Sequence, residues 1–125
     1  MSDIKSFEDL GCWQKARELR NDVKNLINTF PDFEKYELVS QMRRASRSVT
    51  HNIAEGYGRF HYQENIQFCR ISRGSLYELL DQFITALDES YISEEAYLKY
   101  KKQVNGCLAI LNGYINYLKK AKSSN

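Results

Sequence analysis

Four times along this chain, apolar side chains recur at alternating steps of four and three residues with little to interrupt them. The first run is Cys12, Ala16, Leu19, Val23, Leu26 and Phe30, and the second is Leu38, Met42, Ala45, Val49 and Ile53. The third is Phe68, Ser72, Leu76, Leu79, Phe83 and Ala86, with Ser72 the one polar member. The fourth is Tyr97, Tyr100, Val104, Cys107, Leu111, Tyr114 and Leu118. Steps of that size line up along one stripe of an α-helix and scatter over both faces of a strand. A chain with four such stripes must bury them against one another. One proline and six glycines in 125 residues leave few breaks, which favours long helices over a many-turned β architecture.

The runs predict helices over about 10–29, 34–55, 63–89 and 94–121. Pro31 stops the first, because proline disfavours helical geometry in the residue before it. Gly56 stands where a left-handed C-terminal cap is wanted for the second, with Gly58 keeping the joint tight. Ser93 followed by Glu94 and Glu95 reads as an N-cap with acids in the first turn. Joints of a few residues make successive helices antiparallel neighbours. The expected fold is therefore all-α, an up-down-up-down antiparallel four-helix bundle forming one domain over 1–125. Only the tail, Lys119 to Asn125, is expected to fray.

Several functional classes are disfavoured. No stretch approaches 18 uninterrupted apolar residues, so no membrane span and no membrane partner are expected. Met1 to Glu8 carries Asp3, Lys5 and Glu8 and lacks the apolar run of a signal peptide. Cys12, Cys69 and Cys107 are isolated and fall on or near apolar faces, where a free thiol behaves as a small hydrophobe. A reduced, cytoplasmic location is the expectation. The histidines, His51 and His61, lack the glutamate three residues upstream that a di-iron bundle uses. No zinc spacing, phosphate-binding glycine loop or serine elbow occurs. No metal, cofactor or enzymatic activity is expected. His51, Asn52 and Glu55 could be drawn as an acid-base group, but Asn52 and Glu55 read better as fastening the helix end. There Arg59 offsets Glu55 against the negative pole of the helix.

The arginines carry more information. Between Tyr36 and Ser75 every basic residue is arginine: Arg43, Arg44, Arg47, Arg59, Arg70 and Arg73. The planar guanidinium suits phosphate or carboxylate. At about 100° per residue, Arg43, Arg44, Arg47 and His51 share an arc opposite the apolar stripe. Folding the second and third helices back on each other around Tyr57 to Phe60 brings Arg47 level with Arg70 and Arg44 level with Arg73. Arg43, Arg44, Arg47, Arg70 and Arg73 are thus the candidate nucleic-acid-binding residues. The same operation on the first two helices brings Arg44 level with Asp22 and Arg47 near Glu18. Interhelical ion pairs are the competing use of this charge. A net charge of +2 does not decide between the two.

The third helix also holds a second apolar stripe, Tyr77, Leu80, Ile84, Leu87 and Tyr91, and the fourth adds Leu108, Ile110 and Ile115. A stripe broader than one seam is either a wide core face or an association surface. The first half of the third helix carries Arg70 and Arg73 and the second half Glu78, Asp81, Asp88 and Glu89. That order opposes the helix dipole, so compensation from neighbouring elements or another subunit is expected.

One combination of motifs is specific. Gln41-Met42-Arg43-Arg44-Ala45-Ser46, then Asn52-Ile53-Ala54-Glu55-Gly56-Tyr57-Gly58-Arg59, then Gly74-Ser75-Leu76-Tyr77-Glu78-Leu79 resembles the 23S rRNA intervening-sequence protein family. The opening Phe7-Glu8-Asp9-Leu10, followed by Trp13 and Ala16, is similar to that family's start. Leu80 departs from the pattern, standing where the family often carries a second glutamate. The resemblance implies a bacterial four-helix bundle that assembles into a homopentamer. The breadth of the third helix's apolar surface makes Tyr77, Leu80, Ile84, Leu87 and Tyr91 the candidate interface. A related branch, the accessory protein of diversity-generating retroelements, has a similar fold and binds nucleic acid and a reverse transcriptase. By that analogy the candidate partners are RNA or DNA, a reverse transcriptase, and further copies of the chain. The alternative is a protein-binding adaptor or scaffold with no nucleic-acid role.

Overall fold

The computed structural model describes residues 4–124. Met1 to Asp3 of the leader reading and Asn125 of the tail lie outside them. The chain enters through one 3-10 turn, Phe7–Asp9. Its N-cap is reciprocal: the Ser6 hydroxyl accepts the Glu8 amide at 3.0 Å, and the Asp9 carboxylate accepts the Ser6 amide at 3.1 Å. Four helices follow: α1 Gly11–Ile27, α2 Leu38–Tyr57, α3 Tyr62–Asp88 and α4 Glu94–Ser124. Each packs on the next, and α4 closes on α1 along the sparsest of the four seams. The all-α four-helix bundle is therefore what forms.

The stripes account for the core. Leu19, Val23, Met42, Val49, Ile53, Leu76, Leu79, Phe83, Val104 and Leu111 are all essentially inaccessible. Burying a side chain of that size contributes roughly 1.5–3 kcal/mol. Phe83 stacks on Tyr100 with ring centroids 4.7 Å apart. On α1 the stripe turns slightly, so that Ile27 is buried and Leu26 only partly.

The joints differ from the expectation. Glu34 does not open α2 but closes a separate 3-10 turn, Asp32–Glu34. Its buried carboxylate accepts the Leu38 amide at 3.3 Å and the Tyr91 hydroxyl at 2.7 Å. Glu37 leaves helical geometry at φ −119, ψ −104, so α2 begins at Leu38, the first residue of its apolar stripe and one turn later than the expected start at about 34.

Gly56 is not a left-handed cap. The described glycines all have negative φ, and α2 runs through Gly56 to a right-handed cap at Gly58 with φ −76. What demands glycine at 56 is proximity. A Cβ there would lie 2.7 Å from the Asn65 side-chain oxygen and 2.9 Å from the Phe68 Cβ. The helices approach so closely that only a hydrogen fits. The left-handed residues are Phe60, φ 55, and Ser90, φ 63. Ser90 ends α3 in a Schellman arrangement, the Tyr91 amide reaching the Ala86 carbonyl at 2.8 Å.

Ser93 caps α4 as expected, accepting the Ala96 amide at 3.1 Å. The tail expected to fray is helical to Ser124.

Candidate nucleic-acid interface

Where an arginine points depends on how the helices are registered, and one bond sets that register for α1 and α2. Arg20 donates from Nη1 to the Thr50 hydroxyl at 3.1 Å, and Thr50 in turn donates to the Arg47 carbonyl at 3.1 Å. Residue 20 is thus level with residue 50. The pairing expected from sequence, Arg47 beside Glu18, is not made, because Glu18 lies on the flank of α1 toward α4. Glu18 instead meets Lys15 at 3.5 Å, and Asp22 accepts from Gln103 of α4 at 2.8 Å. Helix α1 is therefore divided lengthwise, with Arg20 and Lys24 on the flank toward α2 and Glu18 and Asp22 on the flank toward α4.

The consequence is a basic groove. Arg20 and Lys24 from α1 face Arg43, Arg47 and His51 from α2 across a depression of about 440 Å³, floored in part by Ile27 and Ser46. No carboxylate lines it. The ion pairs among the described residues are Lys15–Glu18, Arg59–Glu55 and Arg59–Glu64, none of which uses a groove cation. Along each wall the cations recur every four residues, a spacing of about 6 Å along the helix axis.

Of the five arginines singled out by sequence, Arg43 and Arg47 line this groove. Arg44 and Arg70 are exposed but are not among its lining residues. Arg73 turns the other way, donating to the Asn112 side-chain oxygen (Oδ1) of α4 at 2.9 Å. The band shared by α2 and α3 does not form as drawn. Ser72 bonds the Val49 carbonyl at 2.8 Å and Ser75 bonds Ser48 at 2.8 Å, which places Arg70 about level with Asn52 and separates it from Arg47. Nor do the arginines pair with Asp22 and Glu18. Arg20 and Lys24 were missed by sequence reasoning; their own spacing of four on one flank of the apolar stripe was the available signal.

The acid-base group at the end of α2 dissolves into local fastenings. Asn52 donates to the Ser48 carbonyl at 2.8 Å, and Glu55 is held by Arg59 at 2.8 Å. Burial pushes the thiols of Cys12 and Cys69 up to about 12 and that of Cys107 up to about 11, so they stay neutral and weakly nucleophilic. Among the described residues no cluster of three or more His, Cys, Asp or Glu side chains could hold a metal, and no helix is long and apolar enough to cross a membrane.

The second stripe of α3 is partly consumed by its own subunit. Leu80, Leu87 and Tyr91 pack on the core, and Tyr91 lies against Phe30 with centroids 5.2 Å apart. Tyr77 remains 57% exposed and Ile84 38%.

Residues 8–113 match the family model of the 23S rRNA-intervening sequence protein. The chain belongs to the 23S rRNA-intervening sequence protein family. The matched stretch contains every cation of the groove and every residue of the second stripe up to Tyr91. It stops short of the last turns of α4, where this family member carries Tyr114, Tyr117 and the terminal lysines. No curated protein matches the chain.

Proposed function

We propose that this member of the 23S rRNA-intervening sequence protein family is a non-enzymatic bundle that binds the phosphate backbone of RNA or DNA in the groove between α1 and α2. The observation that carries the reading is the set of four cations and one histidine on two facing walls with no carboxylate among the lining residues. Cations left without carboxylate partners release counterions when phosphate takes that role, and this release drives association. Guanidinium forks held at fixed spacing position a backbone without reading its bases. The proposal includes a reduced, cytoplasmic location, a reading supported by the three free cysteines.

Self-assembly belongs to the same proposal. Tyr77 and Ile84 supply exposed apolar surface on α3, and the family resemblance suggests a homopentamer. A ring of such subunits would repeat the groove, so weak contacts would combine through effective concentration.

The test is anisotropy of labelled structured RNA and of duplex DNA at two salt concentrations. Affinity should fall steeply with salt, with a log–log slope of about −0.9 per duplex phosphate neutralised. Replacing Arg20, Lys24, Arg43 and Arg47 together by glutamine should weaken binding and flatten the slope with the helical content unchanged. Equal binding by the substituted protein overturns the groove. Absence of wild-type binding at low salt leaves the adaptor reading standing. That reading rests on the groove between α1 and α4, which has Cys107 and Ile110 in its floor and charges of both signs on its rim.

A further inference from the structure

The end of the bundle where α2 stops and α3 starts carries an unusual concentration of rings. Tyr57, Phe60, Tyr62, Tyr114 and Tyr117 line one depression of about 470 Å³, a size suited to a small planar molecule. Phe60 is 96% exposed, and Tyr117 is 42% exposed. The turn holds Phe60 out: its φ of 55 is unfavourable for an aromatic residue, and the His61 amide closes a three-residue turn on the Arg59 carbonyl at 2.6 Å. A glycine two residues earlier does not take this left-handed position. A ring that finds no cover in its own subunit is therefore fixed at the rim of an aromatic cup.

The polar groups of the cup narrow its occupant. Asn65, buried beneath it, donates to the Tyr114 hydroxyl at 3.0 Å and so orients that phenol, while His61 stands at the lining. No carboxylate lines the cup, as would be wanted to hold an organic cation. Rings that stack, hydroxyls and an imidazole that hydrogen-bond, and Lys119, Lys120 and Lys122 on the adjoining last turns of α4 together suit a nucleobase attached to a phosphate backbone. Tyr57 lies six residues beyond His51 on α2, about 9 Å along the axis and about 120° around it. A strand leaving the basic groove at His51 comes level with the cup over that rise and turns around the end of the bundle to enter it.

We infer that the aromatic cup formed by Tyr57, Phe60, Tyr62, Tyr114 and Tyr117 stacks an unpaired nucleobase, so that the protein favours single-stranded over fully paired nucleic acid. This inference rests on the groove reading for the backbone and adds a base-binding site to it. A flipped or terminal base enters the cup while its phosphates follow the cations.

A single-stranded RNA oligonucleotide and its abasic counterpart of equal length carry the same phosphates and separate the two sites. The natural strand should bind roughly 5- to 150-fold more tightly, the range expected for stacking of one base, with the same salt slope. Phe60→Ala with Tyr117→Ala should lower natural-strand affinity to that of the abasic strand while leaving abasic binding unchanged. Both residues are exposed, so folding is spared. Equal affinities for the two strands, with a normal salt slope, overturn the cup and leave the groove intact. Should neither strand bind, the groove reading fails, and titration with free adenosine decides the cup alone. Shifts of the Tyr114 and Tyr117 ring resonances support it, and their absence refutes it. Dissociation of an oligomer by the double substitution, seen by light scattering with adenosine binding unaffected, would make the cup a contact between copies and overturn the inference.

Discussion

Arg20 reaches across the α1/α2 seam to Thr50 at 3.1 Å and holds the two walls of the basic groove in register. Thr50 is 1% exposed and bonded on both sides, to Arg20 and to the Arg47 carbonyl. Thr50→Val keeps the shape and removes both bonds. It should destabilise the fold by about 1 kcal/mol, read from chemical denaturation. It should also weaken RNA binding modestly, since Arg20 would lose its fixed direction. Unchanged stability together with unchanged affinity would show that the bond positions nothing.

The glycines should separate by position. Gly56→Ala puts a methyl 2.7 Å from Asn65 and 2.9 Å from Phe68, and should cost about 1–3 kcal/mol through overpacking. This exceeds the gain of up to about 1 kcal/mol expected when alanine replaces glycine in a helix. At Gly74, Gly106 and Gly113 an added methyl would meet nothing within 4 Å, so alanine there should stabilise. Unfolding midpoints of the four variants check the order.

Alkali should unfold the protein early. Burial raises the thiols of Cys12 and Cys69 from 9.0 to about 12, and that of Cys107 from 9.0 to about 11. Tyr91 rises from 10.0 to about 12, chiefly because its hydroxyl donates to Glu34, and burial raises Tyr114 from 10.0 to about 12. In each case folding favours the protonated, neutral form. The stabilisation is fully present below the unfolded values and is lost as pH climbs through the folded ones. Stability should therefore decline between about pH 9 and pH 12. Tyr91→Phe should remove part of that slope, and a flat stability profile over the range would contradict the assignment.

Assembly is tested on the two exposed members of the α3 stripe. Tyr77→Glu with Ile84→Glu should shift the particle toward monomer in light scattering while circular dichroism stays helical. Leu80 is a poorer probe because it packs on its own core. Wild type remaining monomeric at high concentration refutes the proposed assembly.

The helices were legible because their stripes are long and regular, and the seams on α2 and α4 are read almost residue for residue. The register was not, because it depends on where the joints begin. Glu34 looks like an ordinary first-turn acid in the sequence, but it caps α2 from outside and meets Tyr91 far along the chain. Glu18 and Asp22 lie on the flank of α1 that faces α4 and Arg20 and Lys24 on the flank that faces α2, so a groove stands where ion pairs were expected. At Gly56 the sequence suggests a question of backbone angle, whereas the constraint comes from the neighbouring helix. Arg43 and Arg47 are legible from their common direction. Arg73 shares their type but faces α4, and a periodicity argument confined to one helix cannot see which neighbour it faces.

The lengthwise division of α1 also bears on how an encounter would proceed. With a net charge of only +2, the molecule has little overall attraction with which to draw a polyanion from a distance. Unpaired cations on the α2 flank of α1, against mixed charges that nearly cancel on its α4 flank, nevertheless give it a sideways electrical asymmetry. Near a nucleic acid that asymmetry exerts a torque, rotating the α2 flank inward and the mixed-charge flank outward before contact. Encounters would thus be sorted by orientation more than by frequency.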